Sequence, residues 1–155
     1  ILEGKSGRFL EADLSKLSSS QNQVIQTLET EIKELGFQHL GELIWQPGGD
    51  VQLLAYGHEA GQAYATIMIS MFGIFAEFFS QSPQLVSLTT STNPNPMTPP
   101  EKGHHKTGHA NLSMKELWQE HRSDLIRRSI APKKLKPELI QFVICIDQFL
   151  LKDLA

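Results

Sequence analysis

Between Gln38 and Ser91 the chain is cut by turn residues into short extended segments, at about 39–46, 50–57, 62–71, 74–80 and 84–91. Pro47-Gly48 suits the centre of a type II turn. Gly57 to Gly61 is a loop with glycine at both ends, and Gly73 and Ser82-Pro83 break the next two runs. Connections this short join antiparallel neighbours only, because a parallel crossover needs about a dozen residues. The expected result is an antiparallel meander of four or five strands over about 39–91.

Alternation predicts one covered face. Ala63, Ala65, Ile67, Ile69 and Met71 point one way, and Tyr64, Thr66, Met68 and Ser70 point the other. The second set is not fully polar. Tyr56, Tyr64, Met68, Phe75 and Phe79 are therefore candidates for a ligand or partner surface or for a second packing layer, against the plainer reading of partial cover by loops and the amino-terminal arm.

Helices flank the meander. Ser20 and Gln23 match a capping box ahead of Val24, Ile25, Leu28, Ile32 and Leu35, which recur at helical spacing, with Gly36 and Phe37 as a left-handed stop and its hydrophobic contact. The pattern predicts a first helix over about 20–35. Ser113 and Glu116 form a second box, predicting a helix over about 113–129 that Pro132 ends. Pro137 at a first helical position opens a third, with an apolar stripe from Leu139 to Leu154 and with Ile140, Ile144 and Leu151 off it. That excess of apolar surface fits a sandwiched helix or an oligomer interface.

A chain of 155 residues can bury roughly 68–70% of its unfolded surface, so one core suffices without staples. The expectation is a single α+β domain over 1–155: an arm (1–19) and a two-layer packing of one amino-terminal and two carboxy-terminal helices on the sheet. The layout is similar to cystatin-like and TATA-box-binding-protein-like architectures, an analogy of layout that implies no function.

Three of the six histidines and four of the eight prolines lie between Asn93 and His109, a stretch without periodicity that reads as a Pro/His-rich loop over about 93–110. His104, His105 and His109, with His121 on the next helix, could meet zinc or another divalent metal, and Glu101 is the only local carboxylate to join them. No His-Glu-x-x-His motif accompanies them. The plainer reading is a solvated loop and, for His121 between Leu117 and Leu125, a satisfied core histidine.

Arg127, Arg128, Lys133, Lys134 and Lys136 gather five cations within ten residues, either as a patch for a membrane surface or acidic partner or as a solvated helix linker. A net charge of −3 offers no field for nucleic acid. Cys145 is the sole cysteine and sits in an apolar run, as a buried thiol does, which mildly favours a reducing, cytoplasmic setting. Neither a Gly-x-Ser-x-Gly nor a phosphate-cradling glycine loop is present, and Leu88 to Asn93 reads as a hydroxyl-rich edge strand.

Taken together, LGFQHLGEL, LTTSTN, the loop prolines and ELWQEHRSDL resemble an uncharacterised bacterial α+β domain family over about residues 20–130. Similar domains tend to follow a membrane-associated amino-terminal segment, and the resemblance implies no activity. The chain starts at Ile1, so a missing preceding part could hold such an anchor, leaving a membrane-tethered domain as the other expected location. The expected function is a non-enzymatic binding or protein-interaction domain, with a protein, a second copy or an apolar ligand as partner and no cofactor. The alternative is a metal-dependent hydrolase-like enzyme using the loop histidines.

Overall fold

The computed structural model describes residues 2–3, 8–11, 17–45, 51–96 and 103–154, with side chains described for 17–45, 51–96 and 103–146. The fold is α+β. The elements in order are β1 (Leu2–Glu3), β2 (Arg8–Glu11), α1 (Ser19–Glu34), β3 (Phe37–Trp45), β4 (Val51–His58), β5 (Tyr64–Ser70), β6 (Gly73–Gln81), β7 (Ser87–Ser91), β8 (His104–Gly108), α2 (Met114–Arg127) and α3 (Leu139–Leu154). The strands form one sheet in sequence order, antiparallel at every junction except β7 with β8.

The expected meander is present as β3 to β7, and the sheet extends past it on both sides. The arm adds β1 and β2, with Phe9 opposite Trp45. At the far edge, His104 to Gly108 is a strand and not loop, paired in parallel with Ser87 to Ser91. Twelve residues separate Ser91 from His104, the length a parallel return requires. The length that made this stretch look like a loop is the length of a crossover. Its described start folds back on the strand it leads to. A Cβ at Gly108 would collide with the Asn93 carbonyl and with Pro96, so only glycine fits beneath that turn.

Both helix starts carry capping boxes. Ser113 and Glu116 cap α2 as expected, whereas α1 begins two residues earlier than Ser20 predicts, with Ser18 as N-cap and Gln21 as its partner. At the other end of α2, Ser129 takes φ 55°, the Ile130 N–H reaches the Leu125 carbonyl at 2.9 Å and the Ser129 N–H that of Ile126 at 3.1 Å. This is a Schellman stop, closed by packing of Ile130 on Leu125. Pro132 lies beyond it and is not the terminator. Likewise Pro137 precedes α3 without entering it: the Glu138 carbonyl accepts the Phe142 N–H at 3.0 Å.

The packing has three layers where two were expected. Successive residues of β4 point to opposite faces. Leu54 and Tyr56 join the core with Ile25, Ile32, Ala65, Ile67, Phe78, Leu117 and Trp118, so α1 and α2 cover this first face. Leu53 and Ala55 join the core with Tyr64, Phe79, Phe142 and Val143, so α3 covers the second. An apolar stripe shows that a helix must be covered, not which side of the sheet will cover it.

To change faces, residues 128–138 pass around the end of the sheet, with the Lys133 N–H on the Gln81 carbonyl at 2.7 Å and the Leu135 N–H on that of Gly61. The Tyr64 hydroxyl then donates to the Lys136 carbonyl at 2.7 Å.

Candidate functional site

Cross-strand register orders the second face into rows. Tyr64, Phe79, Thr89 and Lys106 lie side by side across β5 to β8; Thr66, Glu77, Ser91 and Gly108 form the next row, and Leu53, Met68 and Phe75 the one after. Under α3 the rows are apolar. Away from it they turn polar yet stay largely out of water: Thr66, Thr89 and Ser91 are all buried.

In this polar part Lys106 Nζ lies 3.3 Å from Glu77 Oε2, with side-chain exposures of 15% and 12%. The approach is within ion-pair range but off the direction of a hydrogen bond, since Glu77 Oε2 has no hydrogen-bond partner. Thr89 Oγ1, between Phe79 and Lys106 in register, is also buried without a partner. Ser91 Oγ accepts the Asn93 N–H at 3.1 Å and keeps its own proton to give. Met68 and Phe75, half-buried, border the cluster on the same face. The arrangement holds opposite charges and unused hydrogen-bonding capacity beside an apolar wall.

The five side chains expected to form one ligand or partner surface divide three ways. Tyr56 is on the first face, where its hydroxyl donates to Glu29 Oε2 at 2.5 Å. Burial and the adjacent carboxylate hold the phenol above its ordinary range. Burial alone would raise Glu29, but the bonds from Tyr56 and Lys33 outweigh it and the carboxyl ends below its usual value. Tyr64 and Phe79 are covered by α3, with the Phe142 ring edge-on to Tyr64 at 5.3 Å, so neither is free for a partner. Burial raises the Tyr64 phenol as well. Only Met68 and Phe75 remain partly open.

The four histidines do not converge. Strand alternation puts His104 and His105 on opposite faces: His104 Nδ1 is 2.6 Å from Ser87 Oγ, while His105 Nδ1 accepts from Arg128 Nη1 at 3.1 Å. The His109 N–H bonds the Ser91 carbonyl at 2.8 Å, and its Nε2 is buried without a partner. Among the described residues no group of three or more His, Cys, Asp or Glu side chains is placed to hold a metal ion. Glu101 lies outside the described residues.

His121 is a core residue, fully buried between α2 and the sheet and stacked on Trp118. Ser80 Oγ donates its one proton to the Gln62 carbonyl at 2.9 Å, so it must accept from His121 Nε2 at 2.9 Å. Thr90 Oγ1, 2.8 Å from Nδ1, then supplies the proton on that side. The ring is neutral with its proton on Nε2, and desolvation lowers its pKa to about 4. Of the hydroxyls from Leu88 to Asn93, expected at an edge, that of Thr90 serves a buried histidine. The two serine–histidine contacts look like nucleophile and base, but Ser80 and Ser87 are both 0% exposed and no substrate carbonyl can reach them.

The cationic linker divides too. Arg127 pairs with Glu120 at 2.9 Å and Asp124 at 3.2 Å, and Arg128 with Asp124 at 3.1 Å, so both arginines are neutralised locally. Burial pushes the Cys145 thiol up to about 11, and its Sγ faces Gln81 Oε1 at 3.8 Å. Lys134 and Lys136 remain exposed. No described helix is long and apolar enough to cross a membrane.

Sequence reasoning missed Glu77, Thr89 and Lys106 as a group. A sequence signal existed only for Glu77, the single charge between Glu59 and Glu101, in a strand otherwise made for burial. Comparison with known protein families, with characterised proteins and with solved structures finds no match to this chain.

Proposed function

We propose that this is a non-enzymatic binding domain whose site is the polar part of the second sheet face, with Glu77, Thr89 and Lys106 as its polar groups and Met68 and Phe75 as its wall. The observation that carries this reading is Thr89 Oγ1, buried without a hydrogen-bond partner beside the Glu77–Lys106 ion pair, whose own Glu77 Oε2 makes no hydrogen bond. Unsatisfied buried polar groups cost about 1–3 kcal/mol each, and folds keep few of them without a use. The reading is tested by screening amino acids, short carboxylates, polyamines and sugars for a rise in melting temperature. One class should stabilise the native protein and fail with Lys106→Met; silence from all four classes overturns the site.

A second reading, protein association, rests on a different place. Met71 and Phe72, the two turn residues of the β5–β6 hairpin, are 90% and 83% exposed. Large apolar side chains at an exposed hairpin tip make good anchors for a partner. Self-association is its simplest form, and Met71→Ser with Phe72→Ser should abolish any dimer seen by sedimentation. A dimer unchanged in that variant rules out the tip.

A further inference from the structure

We infer that β8 is an interface strand, and that two copies of this chain join edge to edge along it, antiparallel about a two-fold axis at Thr107. This pairing uses neither the ligand site nor the hairpin tip. Register decides which backbone groups are available. The Gly103 carbonyl accepts the Ser87 N–H at 2.9 Å, and the His109 N–H reaches the Ser91 carbonyl at 2.8 Å. In a parallel pair every second residue bonds its neighbour strand, so Gly103, His105, Thr107 and His109 turn toward β7 while Lys106 and Gly108 turn N–H and C=O outward. β8 ends the sheet, and among the described residues no backbone group pairs with those outward groups.

Natural sheet edges are guarded by charges, prolines, bulges or covering segments. β8 contains no proline, and its register with β7 runs without a shift. Lys106 is the residue that resembles a guard. Its ammonium, however, lies on the second face, 3.3 Å from Glu77 Oε2 and with the side chain 15% exposed, so the charge is neutralised and stands out of the path of an incoming strand.

The strand's own symmetry points to a second copy as the occupant. With Thr107 opposite its counterpart, Lys106 falls opposite Gly108 and His105 opposite His109. Each Lys106–Gly108 pair exchanges two hydrogen bonds, and the two-fold axis doubles them. Lys106 opposite itself would instead set ammonium against ammonium, which is destabilising. Thr107 Oγ1 has no hydrogen-bond partner within the chain. Thr107 is only half-buried, so a turn about Cα–Cβ brings the hydroxyl to its open side, where the facing threonine can donate or accept. Helix α2 packs over β7 through Leu125 and Leu88. Strand spacing then puts the two α2 helices about 14 Å apart, wider than packed helices stand, so they clear each other.

The test uses the whole chain. Pairing along so short a strand is weak, so sedimentation is run up to about 1 mM and should show a dimer that dissociates on dilution. The amides of Lys106 and Gly108 should exchange fast in dilute protein and slow as the dimer forms. Lys106→Pro removes an N–H that bonds nothing within one chain, at a place where an edge strand tolerates proline, and should raise the dissociation constant about tenfold or more. Lys106→Met keeps that N–H and should keep the dimer, although it removes the ligand site's lysine. Facing residues in a pair of this kind have Cα atoms about 4.5 Å apart, within disulfide reach, so Thr107→Cys should link two copies on mild oxidation. Cys145 is buried and gives no background, and Lys134→Cys, exposed and away from the edge, should stay unlinked.

A chain that stays monomeric at the highest concentration overturns the pairing. So does a folded Lys106→Pro that dimerises as well as the native chain, or a Thr107→Cys that links no faster than Lys134→Cys. Should Lys106→Pro disturb the fold, the Thr107→Cys arm decides alone. A dimer that survives Met71→Ser with Phe72→Ser but not Lys106→Pro assigns self-association to the edge and leaves the tip for a different protein.

Discussion

Thr90 Oγ1 lies 2.8 Å from Nδ1 of His121, and through that bond helix α2 is held to the sheet by a histidine that cannot take a second proton without reversing it. The first prediction follows from the ring's pKa. Unfolded, a histidine titrates near 6.5; here burial lowers it to about 4, against a weaker opposing pull from Asp124. The unfolded chain thus binds more protons between those values, so stability is fully present above pH 6.5 and falls as the pH drops toward 4. The depression corresponds to about 3 kcal/mol. Urea denaturation from pH 7 to 4 should show the loss, and His121→Gln should flatten the profile over that interval. Equal slopes in both proteins would mean that His121 does not govern the acid limb.

A second prediction concerns the passage around the sheet end. Tyr64→Phe removes the donor to the Lys136 carbonyl and should cost about 1–2 kcal/mol. Gly57→Ala acts on the same contact from below, since its Cβ would lie 2.8 Å from Pro137 Cβ and 2.9 Å from Pro137 Cα. Backbone cannot yield as a flexible side chain would, so the cost is about 1–3 kcal/mol. Hydrogen exchange should locate the damage: amides of 133–142 speed up more than those of α1 in both variants. Uniform acceleration would show that α3 and the first-face core open as one unit.

The third prediction is chemical. Cys145 is 9% exposed and its thiol is raised to about 11, so the nucleophilic thiolate is scarce at pH 8 and out of reach. A disulfide reagent such as Ellman's should leave the native thiol unmodified and label it fully in denaturant. Rapid labelling of native protein would mean that α3 detaches from Tyr64 and Phe79 on the time scale of the assay.

Most of the sheet was readable because turn residues and alternation report local geometry, and β3 to β7 depend on little else. The start of α1 was misread because Ser18 with Gln21 and Ser20 with Gln23 both satisfy the same capping pattern; packing of Leu17, Ile25 and Ile32 selects the first. Strand β8 left no signal. His104 to Gly108 carries no apolar alternation, because its partners are Ser87, Arg128 and Glu77 and not a hydrophobic core. The candidate site was hidden for the same reason. Glu77 and Lys106 meet only through the parallel register of β8 on β7, which no short window of sequence encodes. The histidines misled in the opposite direction, since adjacency in the chain suggested a shared site and strand alternation separates them.

The last prediction sets stability against binding at one atom. Thr89 is 3% exposed and its hydroxyl has no partner, so the empty protein bears the cost of a dehydrated polar group. Thr89→Val keeps the shape and removes that group, and should raise stability by about 1 kcal/mol. The gain should come with weaker ligand binding if the proposed site is correct, because there the same hydroxyl would be a donor toward the ligand. A Thr89→Ser variant should keep the donor and lose a methyl, so it should bind while being slightly less stable than the native chain. Opposite signs for valine and serine, in melting temperature and in affinity, separate a functional hydroxyl from a packing residue; a valine variant that loses stability would show that Thr89 is satisfied by bound water instead.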